Sequence, residues 1–175
     1  MRTLNQEEFN HILRQFDMKS RLKKELKFVA STLHLSSDWS DYELIAIADR
    51  TGNKGVLLLQ PQNTLYITQY KLSRRIVDSA TGRDRAIICD FCYTWQPGSN
   101  AASITFTRAD NQHSIRFLCC GDLACSQHVR TATKASVVSR AQLRENLSDE
   151  DRIARLKTKL TKYIEYLGLK VITAE

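Results

Sequence analysis

The sequence predicts an α+β protein, because helical patterns at both ends of the chain enclose a central region of strand patterns. The chain has 175 residues, of which 42% are hydrophobic and 26% are charged. These proportions are ordinary for a globular protein, and they exclude a fibrous or wholly disordered chain. A third observation is that every cysteine lies between residues 89 and 125.

The N-terminal part of the chain is predicted to be helical. Asn5 and Glu8 are spaced as a capping box at the start of a first helix. The apolar residues that follow keep a helical interval: Phe9, Ile12, Leu13 and Phe16. The pattern falters at residues 17–20. A second helix is then expected, with apolar positions Leu22, Leu26 and Val29.

The middle of the chain predicts an antiparallel sheet. The segments rich in β-branched and aromatic residues are 44–48, 56–59, 64–70, 103–107 and 114–118. We expect the last two to form a hairpin around a turn at residues 108–113. A short strand is expected just before Cys89, and a short helix around residues 123–131.

The C-terminal segment predicts an amphipathic helix. Ser148 and Asp151 resemble a capping box, and Gly168 is the expected terminator. The apolar positions form one stripe: Ile153, Leu156, Leu160, Ile164 and Leu167.

The charge balance favours an acidic partner, such as RNA, DNA or an acidic protein. Lysine and arginine number 26 against 19 acidic residues, a formal net charge of +7. No apolar run is long enough to cross a membrane. The N-terminus lacks the apolar stretch of a signal peptide, so we expect a cytoplasmic protein without a membrane partner.

The cysteines predict a metal site. Their number is odd and their cluster is local, which favours a metal over disulfides. Cys89 and Cys92 have the spacing of a zinc knuckle. The predicted hairpin would bring a second pair back to the knuckle, formed by Cys125 with either Cys119 or Cys120. Four thiolates suit a structural Zn²⁺ ion.

The order of knuckle, hairpin and helix is treble-clef-like. The full prediction is therefore N-terminal helices, an antiparallel sheet, a treble-clef-like four-cysteine zinc module and a C-terminal amphipathic helix. We expect a division into an N-terminal helical and β-sheet part at residues 1–80 and a zinc-binding part at 81–175.

The cysteines have two other interpretations. His128 is a rival ligand, since it lies one helical turn past Cys125. A redox dithiol at Cys89 and Cys92 would need a following helix, whereas a turn and a strand are expected there. The sequence contains no nucleophile elbow, phosphate-binding glycine loop or paired-histidine motif. We therefore expect neither an enzyme nor a small-molecule substrate.

Several segments are similar to the elongation factor G-binding protein family, which includes the FusB-type fusidic-acid resistance proteins. They are residues 85–92, 117–126, 129–130 and 147–167, with a looser likeness over 16–60. Members carry a C-terminal treble-clef zinc domain whose second cysteine pair follows the pattern Cys-x-Asp-x-x-Cys. Cys120 and Cys125 fit that pattern, so the resemblance implies Cys89, Cys92, Cys120 and Cys125 as ligands. This chain is shorter than the resistance proteins, with a reduced N-terminal helical part.

The resemblance implies a binding protein of the translation machinery. It would bind elongation factor G through a zinc-stabilised domain and promote release of the factor from the ribosome. We expect the contact residues to be Phe91, Tyr93 and Trp95 beside the knuckle, together with Arg130. The alternative role of the aromatic residues is packing around the zinc site. The alternative function is an RNA- or DNA-binding zinc module, using Arg130, Lys134, Arg140, Arg144 and the basic residues of the last helix.

Overall fold

The computed structural model of the chain describes residues 1, 3–32, 39–108, 112–130, 147–169 and 171, without the side chains of residues 28–32. The helices are α1 (Gln6–Gln15), α2 (Ser20–Thr32), α3 (Cys125–Val129) and α4 (Asp149–Leu167). The strands are β1 (Leu44–Ala48), β2 (Lys54–Leu59), β3 (Tyr66–Ser73), β4 (Ile87–Ile88), β5 (Trp95–Gln96), β6 (Ala101–Thr107) and β7 (Ser114–Cys120). The predicted α+β class is confirmed.

The N-terminus of α1 and both ends of α4 are closed by the capping residues expected from the sequence. In α1 the Asn5 side chain accepts from the Glu8 backbone N–H, and the Glu8 carboxylate accepts from the Asn5 N–H, each at 2.8 Å. In α4 the Ser148 hydroxyl accepts from the Asp151 N–H at 3.1 Å. Gly168 ends α4 with φ 65°, a left-handed conformation that glycine adopts without steric cost.

The strands form one five-stranded antiparallel sheet in the order β1-β2-β3-β6-β7 and a separate two-stranded ribbon, β4-β5. The expected hairpin is β6-β7, in which Thr107 pairs with Ser114 and Ala101 with Cys120. Its turn falls partly on residues 109–111, which lie outside the described residues. The sheet thus contains strands from both sides of residue 80, and the division expected there stays a prediction.

The two faces of the sheet bury different cores because side chains alternate along each strand. In β2, Val56 and Leu58 face α1 and α2, where they meet Phe9 and Leu13. Leu57 and Leu59 face the opposite way, toward a core shared with the cysteines and α4. That second core holds the apolar stripe of α4: Leu156, Leu160, Ile164 and Leu167 are buried, and Ile153 packs at its edge.

The short elements lie close to their predicted positions. The predicted strand before Cys89 is β4, and the helix expected around 123–131 is α3 at Cys125–Val129. Residue 131 and the side chain of Val29 lie outside the described part. None of the described helices is long and apolar enough to cross a membrane.

Candidate metal centre

Four cysteines from distant parts of the chain meet in the core beside α4. Cys89 and Cys92 flank the tight turn between β4 and β5. Cys120 is the last residue of β7, and Cys125 is the first residue of α3. Their sulfur atoms all lie within 4.8 Å of one another, and all four side chains are buried.

The spacing of the sulfurs fits a tetrahedral zinc ion. The Sγ–Sγ distances are 3.8 Å for Cys89–Cys125, 3.5 Å for Cys92–Cys120 and 3.9 Å for Cys120–Cys125. Zinc–thiolate bonds of about 2.3 Å in a tetrahedron require sulfurs about 3.8 Å apart. The donor set and its geometry therefore both match a closed four-thiolate site.

The backbone of the knuckle holds its two cysteines in place. The Cys89 N–H donates to the Thr94 carbonyl at 3.0 Å, and the Tyr93 N–H donates to the Cys89 carbonyl at 2.9 Å. Tyr93 adopts φ 60°, which is uncommon for a residue with a side chain. This left-handed residue reverses the chain directly after Cys92, so that both sulfurs face the same point.

Two of the thiols, Cys92 and Cys125, differ in how readily they ionise. Hydrogen bonds with Cys120, Cys125 and Cys89 hold the pKa of the Cys92 thiol well below its usual range. Contact with Cys120 and with the other thiols, together with burial, holds the pKa of Cys125 well above that range. Cys92 is therefore the more readily ionised of the two. Four thiolates this close would repel one another, and a metal cation among them offsets that repulsion.

The structure separates the two adjacent cysteines of β7. Strand alternation directs Cys120 to the sulfur cluster and Cys119 into the apolar core, where it is fully buried. Burial raises the pKa of the Cys119 thiol well above its usual range. Cys119 therefore has the environment of a small apolar side chain rather than that of a ligand.

His128 is buried beside the cluster, but it lies outside the four-sulfur set. Its Nε2 atom is 3.2 Å from the Asp122 carboxylate. Cys120, Asp122 and His128 form a second group of close ligand atoms. Since four sulfurs already complete a tetrahedron, the rival role expected for His128 is not needed for coordination.

Phe91 and Arg130, two of the residues expected to contact a partner, also make contacts within the protein. Phe91 is 3% exposed, which corresponds to the packing alternative. Its ring meets those of Phe117 and Tyr163 edge-on, with centroid distances of 6.0 and 5.2 Å. Arg130 makes a bidentate ion pair with the buried carboxylate of Glu43, with N–O distances of 2.7 and 2.9 Å. Phe91 is therefore buried, whereas the Arg130 side chain keeps 22% of its surface exposed.

Tyr93 and Trp95 remain partly exposed beside the knuckle. The Tyr93 ring lies beneath two cations of α4, with Arg155 Cζ at 4.6 Å and Lys159 Nζ at 4.9 Å from its centroid. Trp95 pairs across the ribbon with Ile88, which is 48% exposed. These two aromatic residues are therefore positioned at the surface of the metal-binding part.

A line of polar side chains that was not predicted from the sequence links the two cysteine pairs. It runs from Thr94 through Gln96 and Asn100 to Asp122, with neighbouring contacts of 2.8, 2.7 and 3.1 Å. Only Asp122 belongs to a recognisable pattern, the Asp of Cys-x-Asp-x-x-Cys. The others have no sequence signal, because their contacts depend on how the knuckle folds against β6.

A knuckle, a hairpin and a short helix that jointly carry four cysteines define a zinc-binding protein of the treble-clef class. The chain belongs to the family described as the FBP C-terminal treble-clef zinc-finger, whose profile matches residues 19–167. This confirms the FusB-type resemblance and the predicted zinc cofactor. The family is one of zinc-finger binding proteins rather than a known enzyme family. Comparison with curated proteins and with solved structures gives no significant match.

Proposed function

We propose that this chain is a binding protein of the translation machinery, which binds elongation factor G and promotes its release from the ribosome. The observation that carries the proposal is the family match over residues 19–167. The matched stretch includes all strands of the sheet, the sulfur cluster and α4. The whole zinc-supported framework thus supports a role like that of the FusB-type proteins.

We assign the zinc ligands to Cys89, Cys92, Cys120 and Cys125. A site with four protein ligands leaves no open position for a substrate, so zinc would act as a scaffold and not as a catalyst. Structural zinc can contribute on the order of 10 kcal/mol to the folding of a small module. The metal would thus keep the surface around the knuckle in a fixed shape for a partner.

The contact residues that we propose are Tyr93 and Trp95. Aromatic side chains supply much of the binding energy of protein interfaces when a partner covers them. Tyr93 is held beneath Arg155 and Lys159, so an acidic group of the partner would meet the ring and two cations together. Phe91 and Arg130 would contribute indirectly by stabilising the surface from within.

Titration calorimetry of the zinc-loaded protein against elongation factor G from the same organism tests this function. We expect a one-to-one complex of micromolar affinity or tighter, weakened at least tenfold by Tyr93→Ala. Tyr166→Ala is a matched control, since Tyr166 is also an exposed tyrosine beside a cation, with Arg108 at 5.4 Å from its ring. The absence of any binding by the zinc-loaded protein would refute the proposal. Equal affinities of both variants would refute only the assigned contact.

The second candidate function is binding of nucleic acid. It is favoured by the net charge of +7 and by the cations that α4 places over Tyr93. Of the other basic residues expected to serve it, Arg130 is paired with Glu43, and Lys134, Arg140 and Arg144 lie outside the described residues. Phosphate contacts make affinity fall steeply with salt. An RNA titration at several salt concentrations therefore distinguishes this function from protein binding.

A further inference from the structure

The hydroxyl group of Thr94 lies beside the sulfur cluster. Its Oγ1 atom is 3.0 Å from Cys92 Sγ and 4.0 Å from Cys120 Sγ. Thr94 follows directly after the left-handed residue Tyr93, so the reversal of the chain at the knuckle brings this hydroxyl back to the sulfurs. A hydroxyl at this distance can donate a hydrogen bond to a thiolate.

The direction of this hydrogen bond follows from Asp122, at the far end of the line of polar side chains. The carboxylate of Asp122 accepts hydrogen bonds and cannot donate them, so the atom of Asn100 that faces it is the amide nitrogen. The same nitrogen donates to Gln96 Oε1 at 2.7 Å. The amide nitrogen of Gln96 must then point to Thr94 Oγ1, to which it donates at 2.8 Å.

Thr94 thus receives one hydrogen bond from Gln96 and retains its own proton for another partner. A zinc-bound thiolate has no proton to donate. The Thr94 hydroxyl must therefore donate to Cys92. From Asn100 through Gln96 to Thr94, each side chain then donates its hydrogen bond in the direction of the sulfur. Gln96 is completely buried, so little water competes for its amide group.

The line is anchored on the segment that carries the second cysteine pair. Asp122 accepts from the Ala124 N–H at 3.0 Å and contacts His128 at 3.2 Å. The Gly121 N–H donates to the Asn100 carbonyl at 2.7 Å. A Cβ atom on Gly121 would lie only 3.1 Å from Asn100 Oδ1, so glycine permits this close approach. The polar line therefore joins the knuckle to the loop between Cys120 and Cys125.

We propose that Thr94, oriented by Gln96 and Asn100, is a positioning residue that donates a hydrogen bond to the Cys92 thiolate and thereby controls how firmly the cluster holds its zinc. A hydrogen bond stabilises the negative charge of the sulfur, so the thiolate is less easily protonated or alkylated. It also fixes the position of the ligand, and loss of such an outer contact typically weakens metal binding. Cys92 is thereby protected from exchange. This inference rests on the four-cysteine ligand set proposed above.

The test compares Thr94→Val, which replaces the hydroxyl with a methyl group of similar size, with Thr94→Ser, which keeps the hydroxyl. Both variants are made in the full chain and loaded with zinc or with cobalt(II). We expect Thr94→Val to release zinc to a chromogenic chelator about tenfold faster, the effect usual for a lost outer contact of a metal ligand. Thr94→Ser should release it at the wild-type rate.

The cobalt spectrum separates this role from simple loss of packing. Without the hydrogen bond the sulfur electrons lie at higher energy, so the sulfur-to-cobalt charge-transfer band of Thr94→Val should move to longer wavelength. Thr94→Ser should restore the wild-type band. An unmoved band in a folded Thr94→Val protein would overturn the proposal, even if zinc release were faster.

A measurement on the unaltered protein covers the case in which Thr94→Val does not fold. In protein loaded with an NMR-active cadmium isotope, a scalar coupling between the Thr94 hydroxyl proton and cadmium would demonstrate the hydrogen bond directly. An assigned hydroxyl proton without this coupling would contradict it. A wild-type cobalt spectrum without the intensity of four thiolates would instead refute the ligand set.

Discussion

The guanidinium group of Arg130 donates two hydrogen bonds, of 2.7 and 2.9 Å, to the carboxylate of Glu43. The Glu43 side chain is only 4% exposed. The hydrogen bonds with Glu43 raise the pKa of Arg130 further, so the guanidinium group stays protonated. The neighbouring Ser126 hydroxyl accepts from the backbone N–H groups of Glu43 and Leu44 at 3.0 and 3.3 Å. The helix that begins at a cysteine of the metal centre is thereby joined to the first strand of the sheet.

Replacing Arg130 with methionine should destabilise the protein strongly, because the Glu43 carboxylate would remain buried without its partner. Loss of one member of a buried pair typically costs about 3 kcal/mol. Urea unfolding of the zinc-loaded protein measures the change. The double variant Glu43→Gln/Arg130→Met should recover part of the loss. Arg116→Ala, on the exposed face of β7, should change stability by less than about 0.5 kcal/mol. A similar small effect at Arg130 would show that the pair behaves as a surface pair.

Replacing Cys89 or Cys125 with serine should remove zinc and unfold the region 85–130, because the remaining three sulfurs cannot close the tetrahedron. Zinc content and near-UV circular dichroism report the two effects. Cys119→Ala is the matched control, since Cys119 lies in the apolar core beside the cluster. It should keep a full complement of zinc. A metal-free serine variant with a native-like near-UV spectrum would contradict this expectation.

The apolar stripe of α4 should carry much of the stability of the second core. Leu160 is fully buried among the residues of that core. Leu160→Ala should lower the free energy of unfolding by about 3 kcal/mol through lost burial and the cavity left behind. Lys157→Ala, on the exposed side of the same helix, should cost less than about 0.5 kcal/mol. Equal urea midpoints for the two variants would show that α4 is not packed as described.

Asp49 should make stability depend on pH in the acid range. Burial is the largest single influence and raises its pKa, but hydrogen bonds from Thr51 and from the backbone N–H groups of Lys54 and Asn53 together outweigh it and hold the pKa below its usual value. A carboxyl group whose pKa is lower in the folded state stabilises the protein at pH values above its pKa in the unfolded state. That contribution is lost as the pH falls through the pKa of the group in the folded state.

Asp49→Asn keeps an acceptor oxygen but does not titrate, so it serves as the control. The stability difference between wild type and this variant should be constant above about pH 5 and shrink at lower pH. Because Asp49 lies in an exposed turn, we expect a difference below about 1 kcal/mol. A difference that grows on acidification would have the wrong sign and refute this assignment.

The sequence predicted most elements for local physical reasons. The capping box at Asn5, the terminator Gly168 and the alternation of apolar and polar residues in β7 all act within one turn or one strand, so residue type and spacing suffice to reveal them. The chemistry of the metal site was equally local, since the Cys89–Cys92 spacing already suits a zinc knuckle. The choice of Cys120 over Cys119 needed the family pattern.

By itself, the sequence determined the α+β class, the zinc knuckle and the family, because periodicity and motif spacing are properties of neighbouring residues. Only the tertiary structure decided that Phe91 packs inside and that Arg130 pairs with Glu43. It alone showed that Thr94 reaches the Cys92 sulfur with Gln96 behind it. These contacts join residues of the knuckle, the sheet and α3. They exist only once burial of the two cores has brought those elements together, since no local pattern specifies which distant side chains will meet.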